Sequence, residues 1–275
     1  MKQLICVLGM VCVVTCSSAL RADCWPKSIP KPSNGRSLPP SRTPYRSVDA
    51  LKLIKQVEAA LGANQSKTVD SGAMILDLEV TDLLGGTKFQ RTLAVSGRSF
   101  WVASSDSKHH VLLSRDGTAR TKEDGKDVAY GGAFLPAALF NPMDPLATFR
   151  EKINDPAYEV SDLVYDSTEK PTTASVTFSC VDPVWMQSVT KQRWTFDLKT
   201  LLPRSVTFGD PHQKRSDATV ENMYLYEQFR QHGGRQLAEK VKLLVGPRPI
   251  EEITLVRFDD SQQDADDQFT KEMLK

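Results

Sequence analysis

The sequence predicts an α+β protein dominated by antiparallel sheet. Three observations carry this. One segment near the N-terminus has helical period. Beyond residue 71 the apolar residues recur at every second position, in short runs broken by Gly, Pro and Asp-Gly. These runs follow one another without a helix between each pair, which fits a meander and not alternating βα units.

Composition is ordinary for a globular chain: 275 residues, 40% hydrophobic and 25% charged. That argues against a mainly disordered chain, a collagen or a coiled coil. With 35 Lys+Arg against 34 Asp+Glu, the chain has no basic excess, so no nucleic-acid partner is expected.

The chain opens with Met1-Lys2-Gln3, followed by an apolar run from Leu4 to Val14 and the small residues Ser17-Ser18-Ala19. A spanning helix needs about 20 apolar residues, so residues 1–22 read as a secretory signal peptide, cleaved after Ala19 or Ala22. Val13-Val14-Thr15-Cys16 loosely resembles a bacterial lipobox, which leaves tethering by lipidation at Cys16 as an alternative. Losing Lys2 and Arg21 with the leader turns the net charge from +1 to −1. Cys24 and Cys180 then remain, in a disulfide-permissive compartment. A Cys24–Cys180 bridge and two thiols that never meet stand as equal readings. The expected location is the periplasm or cell envelope.

Residues 23–46 form a linker. From Pro26 to Pro44 it holds six prolines, and from Lys27 to Arg46 five basic residues with no acidic one between. Repeated Pro removes backbone donors and favours extended chain. A solvated tether is the simpler reading; contact of its basic charge with an anionic membrane surface is the other. The folded domain is expected over 47–275. Ser47 is placed as an N-cap, Asp49 lies in the first turn, and Gly62 follows the last apolar residue. Leu51, Ile54, Val57 and Leu61 mark the face expected to meet the sheet.

The strands come next. Met74, Leu76, Leu78 and Val80 alternate with Ile75, Asp77, Glu79 and Thr81, so one face is buried. Gly85-Gly86 breaks the chain, and Phe89, Leu93 and Val95 carry a second strand. Residues 100–103 and 110–113 continue, with a turn at Asp116-Gly117. Further strands are expected over 159–165, 175–180, 192–198, 204–208, 219–229, 236–245 and 252–258, with Gly233-Gly234 as a hairpin turn. Two helical segments interrupt or follow them: 134–151, broken by prolines, and 264–274, with Phe269 and Met273 on one side.

Several local features resemble the periplasmic lipoprotein-carrier (LolA-like) superfamily, which includes lipoprotein-sorting proteins. Leu51 to Gly62 is similar in character to its opening helix. Leu93-Ala94-Val95-Ser96-Gly97-Arg98-Ser99-Phe100-Trp101 resembles its second-to-third strand hairpin, and Leu113-Ser114-Arg115-Asp116-Gly117-Thr118 its Asp-Gly turn. Leu202-Pro203-Arg204 resembles a late strand entry, and Ile253-Thr254-Leu255 with the acidic stretch and Phe269 resembles its end. Arg120 stands where the carriers often have an aromatic residue, and no residue here aligns with their functional arginine. The resemblance implies an unclosed antiparallel half-barrel wrapped around helices, with an apolar cavity that takes a lipid or lipoprotein acyl chain.

The segment that fits such a cavity is Phe134, Leu135, Leu139, Phe140, Met143, Leu146 and Phe149, interrupted by three prolines. It either plugs the concave face as core or lines a cavity as a lid, each buried large side chain gaining about 1.5–3 kcal/mol. No catalytic residue, cofactor or metal site is expected. His109 and His110 would point to opposite faces of a strand, and His212 and His232 stand alone. The acidic run 259–267 lacks a calcium-loop glycine and reads as a helix N-terminal cap. No GxSxG, Walker, GxGxxG or SxxK motif is present. Trp101, Trp185 and Trp194 are expected in the core. The resulting expectation is a non-enzymatic binding protein, against a self-filled structural module or a hydrolase without a motif.

Overall fold

A computed structural model describes residues 43–62, 74–96, 99–105, 110–113, 119–123, 126–130, 141–146, 154, 156–181, 191–209 and 221–260. One helix and fourteen strands lie among them. The helix α1 (Val48–Ala60) opens the fold. Then come β1 (Met74–Asp82), β2 (Lys88–Ser96), β3 (Ser99–Ser104), β4 (His110–Leu113), β5 (Ala119–Glu123), β6 (Lys126–Tyr130), β7 (Tyr158–Val160), β8 (Val164–Tyr165), β9 (Thr173–Cys180), β10 (Gln192–Asp197), β11 (Pro203–Gly209), β12 (Glu221–His232), β13 (Arg235–Val245) and β14 (Arg248–Asp259).

The strands form one sheet in the order β6-β5-β4-β3-β2-β1-β14-β13-β12-β11-β10-β9-β7, with β8 also paired to β9. Every named pairing is antiparallel. Apart from the closure of β1 on β14 and the step from β9 to β7, which passes over β8, the main path joins neighbours in chain order, as period-two runs separated by short turns require. Its two ends do not pair with each other, so the sheet is an unclosed half-barrel. The strand expected over 159–165 is two pieces, β7 and β8, both laid on β9. Strands β5 and β6 fall where the apolar alternation is weak, in Ala-Arg-Thr-Lys-Glu and Lys-Asp-Val-Ala-Tyr.

One face of the sheet is apolar and the other charged. In β1 burial alternates strictly from Met74 through Val80, with Met74, Leu76, Leu78 and Val80 inward. The outward residues pair across strands: Thr92 donates to Asp77 at 2.8 Å, Lys88 meets Glu79 at 2.9 Å, Lys240 meets Glu252 at 2.8 Å and Lys242 meets Glu227 at 2.7 Å. These exposed or half-exposed pairs are worth little individually. Their physical role is to make the outer face wettable, so that the register with the apolar face inward wins.

Helix α1 lies on the apolar face. Ser47 caps it, its Oγ accepting from Ala50 N at 3.4 Å. The capping residue is itself fixed to the sheet, its N–H donating to Val160 O at 3.0 Å. Tyr45 and Arg46, placed in the linker by composition, join this contact: Val160 N donates to Tyr45 O at 2.8 Å and Arg46 bridges Val160 in parallel. At the other end, Gln236 N donates to Leu61 O at 2.9 Å. The helix therefore crosses the face from β7 to the β12–β13 hairpin. Gly62 makes this landing possible: its φ is +100°, and a Cβ there would sit 2.1 Å from Gly234 O.

The buried face of α1 is Ala50, Leu53, Ile54 and Val57, with Leu61 buried just beyond. Leu51 is only half-buried at the edge of the core, so the apolar stripe is rotated from the expected one toward Leu53 and Ala50. One hydrophobic cluster joins α1 to inward residues from β2 through β9. The sheet must curl to do this. Arg91 on β2 acts electrostatically on Tyr224 on β12, four strand positions away. On a flat sheet at about 4.8 Å per strand those positions are roughly 19 Å apart.

Candidate functional site: the concave face

The concave face is built from alternate residues of successive strands. On β10 to β12 it carries an aromatic belt. Trp194 stacks on Tyr226 with centroids 5.9 Å apart and on Phe196 at 6.5 Å, and Phe208 leans on Tyr224 at 5.2 Å. Register explains the belt: Trp194 pairs Val206, and Val206 pairs Tyr224, so all point to the same side. Trp194 donates from Nε1 to Gln192 Oε1 at 3.2 Å, which satisfies its one donor inside the core.

Polar groups interrupt this wall at a few places. Arg91 shares an inward row with Phe89 and Leu93 and pairs Leu78 across to β1. It is 6% exposed. Its guanidinium carbon lies 5.4 Å from the Phe89 ring centroid, a cation–π contact. Glu251, 3% exposed, enters from β14. Both act on Tyr224, whose hydroxyl is pushed far above the ordinary phenol range by burial, with Glu251 adding to the rise and Arg91 opposing it. Tyr226 is raised in the same direction by burial, then by Tyr224 and Asp144. Both phenols are neutral at physiological pH.

The second polar point is an ion pair. Arg235 Nη1 lies 3.2 Å from Asp144 Oδ2, with side-chain exposures of 5% and 1%. It ties residues 141–146 to the first residue of β13. The same segment accepts a main-chain bond, Ala238 N to Met143 O at 2.9 Å, and Asn141 Nδ2 contacts Met74 Sδ at 3.6 Å.

Of the seven apolar candidates from the sequence, Met143 and Leu146 are described, and both are buried in the main core. Phe134, Leu135, Leu139, Phe140 and Phe149 lie outside the described residues. Cys180 is buried at the end of β9, and Cys24 lies outside the described residues. Trp194 is in the concave core as expected. Trp101 is buried as well, but on the convex side, where it forms a small separate cluster with Ala94 against Ile75 and Ala103. Trp185, His109, His212 and 261–275 lie outside the described residues. His232 leans on Phe258 at 5.5 Å. Among the described residues no group of His, Cys, Asp or Glu is arranged to hold a metal, and no helix is long and apolar enough to cross a membrane.

Arg91, Glu251 and Arg235 were not singled out by sequence reasoning. The available signal was a charged residue inside an apolar period-two row: Phe89-x-Arg91-x-Leu93, and Glu251-x-Ile253-x-Leu255. A row of this kind places the charge on the buried face.

No protein-family model and no curated protein matches the sequence. Some solved structures are similar to it in structure. A LolA superfamily protein from Nitrosomonas europaea is 8% identical, with a TM-score of 0.49, over 74% of this chain and 92% of its own. An outer membrane lipoprotein-sorting protein domain from Vibrio parahaemolyticus is 13% identical, with a TM-score of 0.44, over 82% and 97%. A DUF1329 family protein from Desulfovibrio piger is 10% identical, with a TM-score of 0.46, over 76% and 91%.

Proposed function

We propose that this chain is an exported, non-enzymatic binding protein that shelters the acyl chain of a lipid or lipoprotein on the concave face of its half-barrel. The observation that carries the reading is the face itself. It is an apolar wall from β2 to β9, interrupted at a few polar points, with α1 as the one helix among the described elements that packs on it. An alkyl chain laid along such a wall gains about 0.8 kcal/mol per buried CH₂, so no cofactor is required. Residues 134–149 are the proposed cover, anchored at Met143 and Asp144 and completed by Phe134, Leu135, Leu139, Phe140 and Phe149. The leader at 1–22 delivers the chain to the periplasm or envelope, with Cys16 as the alternative lipid anchor. The linker 23–46 is the part suited to an anionic membrane surface.

Native mass spectrometry of the protein purified from its own envelope tests this. A co-purifying lipid mass, released on denaturation, is the expected result. Absence of any lipid, together with no uptake of a fluorescent fatty-acid probe, favours the second reading, a structural envelope module whose face is filled by its own side chains. The complete burial of Met143 and Leu146 is the observation on that side. The intact mass from the same experiment reports whether the mature chain begins near residue 20 or 23, whether Cys16 is acylated, and whether Cys24 and Cys180 are joined.

A further inference from the structure

Among the described residues Arg91 is a buried cation with no ion-pair partner. It is 6% exposed, its Nε is buried and makes no hydrogen bond, and among the described residues its guanidinium forms no ion pair. Its contact is the face of Phe89, 5.4 Å away. Glu251 faces the same tyrosine, Tyr224, but does not pair with Arg91. Among the described residues no carboxylate lies within ion-pair distance of this charge. A buried arginine that stabilises a fold has a carboxylate opposite it, as Arg235 has Asp144 at 3.2 Å. A methionine or leucine would continue the row of Phe89 and Leu93 without the cost of desolvating a cation. A guanidinium held in an apolar wall is instead what an amphiphile with an acidic head needs, because its planar fork meets a carboxylate or phosphate with two parallel hydrogen bonds.

We infer that Arg91 receives the anionic head group, carboxylate or phosphate, of the amphiphile whose chain lies along the concave face. This rests on the binding role proposed above and adds to it a ligand class: acidic amphiphiles over neutral ones of the same chain. The neighbouring Phe89 ring holds the guanidinium plane in place, and Tyr224, neutral at working pH, puts no competing negative charge beside it.

The test uses the full chain and three probes with one hydrocarbon chain: oleate, oleoyl lysophosphatidate and oleyl alcohol. Wild type is expected to bind at least one acidic probe about tenfold or more tighter than the alcohol, the scale of a charge-assisted bond in a dry site. Whichever acid is preferred tells carboxylate from phosphate. In Arg91→Met the preference disappears, read as the ratio of acid to alcohol affinity in the same variant. Arg91→Lys, which keeps the charge, retains a preference for the acid. Should Arg91→Met fail to fold, Arg91→Gln is read in the same way. Equal affinity of wild type for acid and alcohol, or a preference that survives loss of the charge, overturns the role of Arg91 and leaves the binding function standing. Failure of wild type to bind any of the three overturns the binding function itself.

Discussion

Asp144 and Arg235 form a buried ion pair at 3.2 Å, and through it residues 141–146 are held against the start of β13. Asp144 also accepts from Leu146 N at 3.1 Å, which shapes the short turn that carries the pair. Residues 141–146 therefore have a fixed anchor on the sheet. Removing one partner leaves an uncompensated charge in the core, at a cost of about 3–5 kcal/mol. Asp144→Leu is therefore expected to lower the urea midpoint sharply. The double variant Asp144→Leu/Arg235→Met should recover most of the loss. A double variant as unstable as the single one would mean that the pair stabilises by more than mutual neutralisation.

The helix face gives a graded prediction. Ile54 is fully buried, whereas Leu51 is half-buried at the core's edge. Ile54→Asp should cost about 3 kcal/mol or more, because an unpaired charge enters the core. Leu51→Asp should cost clearly less, since its carboxylate reaches water. Equal losses in denaturant titration would place the stripe back on the Leu51 side.

Two glycines with positive φ separate strain from crowding. At Gly86, φ is +70° and nothing lies within 4 Å of an added Cβ, so Gly86→Ala should cost about 1 kcal/mol for the backbone alone. At Gly62, φ is +100° and the Cβ would meet Gly234 O at 2.1 Å. Gly62→Ala should cost at least twice as much, because the end of α1 must lift from the β12–β13 hairpin. Thermal melts of the two variants side by side decide this.

Burial raises the phenol groups of Tyr224 and Tyr226 above their ordinary value of 10.0. A raised folded-state value means that stability is fully present below the unfolded-state value and is lost as pH rises beyond it. Stability should thus be flat to about pH 10 and fall above it. In an absorbance titration, Tyr224 and Tyr226 should stay un-ionised until the protein unfolds. Tyr224→Phe/Tyr226→Phe should remove that late change. Smooth ionisation of every tyrosine before any loss of far-ultraviolet signal would show that water reaches the belt.

Much of the architecture could be read from local pattern. The alternation of Met74, Leu76, Leu78 and Val80 required a strand with one buried face, and the Gly233-Gly234 turn joined two of the longest strands. The cap at Ser47 and the stop at Gly62 bounded α1 because caps act within a single turn. Where the pattern misled, it did so by one position: Leu51 satisfies the three- and four-residue spacing, but the helix is rotated so that Leu53 is buried. The crossing of α1 over the sheet sets that rotation, and no single helix contains the information. Strands β5 and β6 lack apolar alternation; their assignment comes from pairing with a neighbour.

The fold class and the apolar wall were set by the sequence alone, because side-chain periodicity is a local property of the backbone. What only the tertiary structure decided is which of the enclosed charges meet. Arg91, Glu251, Asp144 and Arg235 are distant in sequence, and no local pattern says which of them lie together. The curl of the sheet brings β2 opposite β12, and the turn at 141–146 lays Asp144 against Arg235. Both are long-range events. Among the described residues they leave Arg235 with a partner and Arg91 without one, because burial and charge compensation are fixed by what lies across the core, not by what lies beside a residue in the chain.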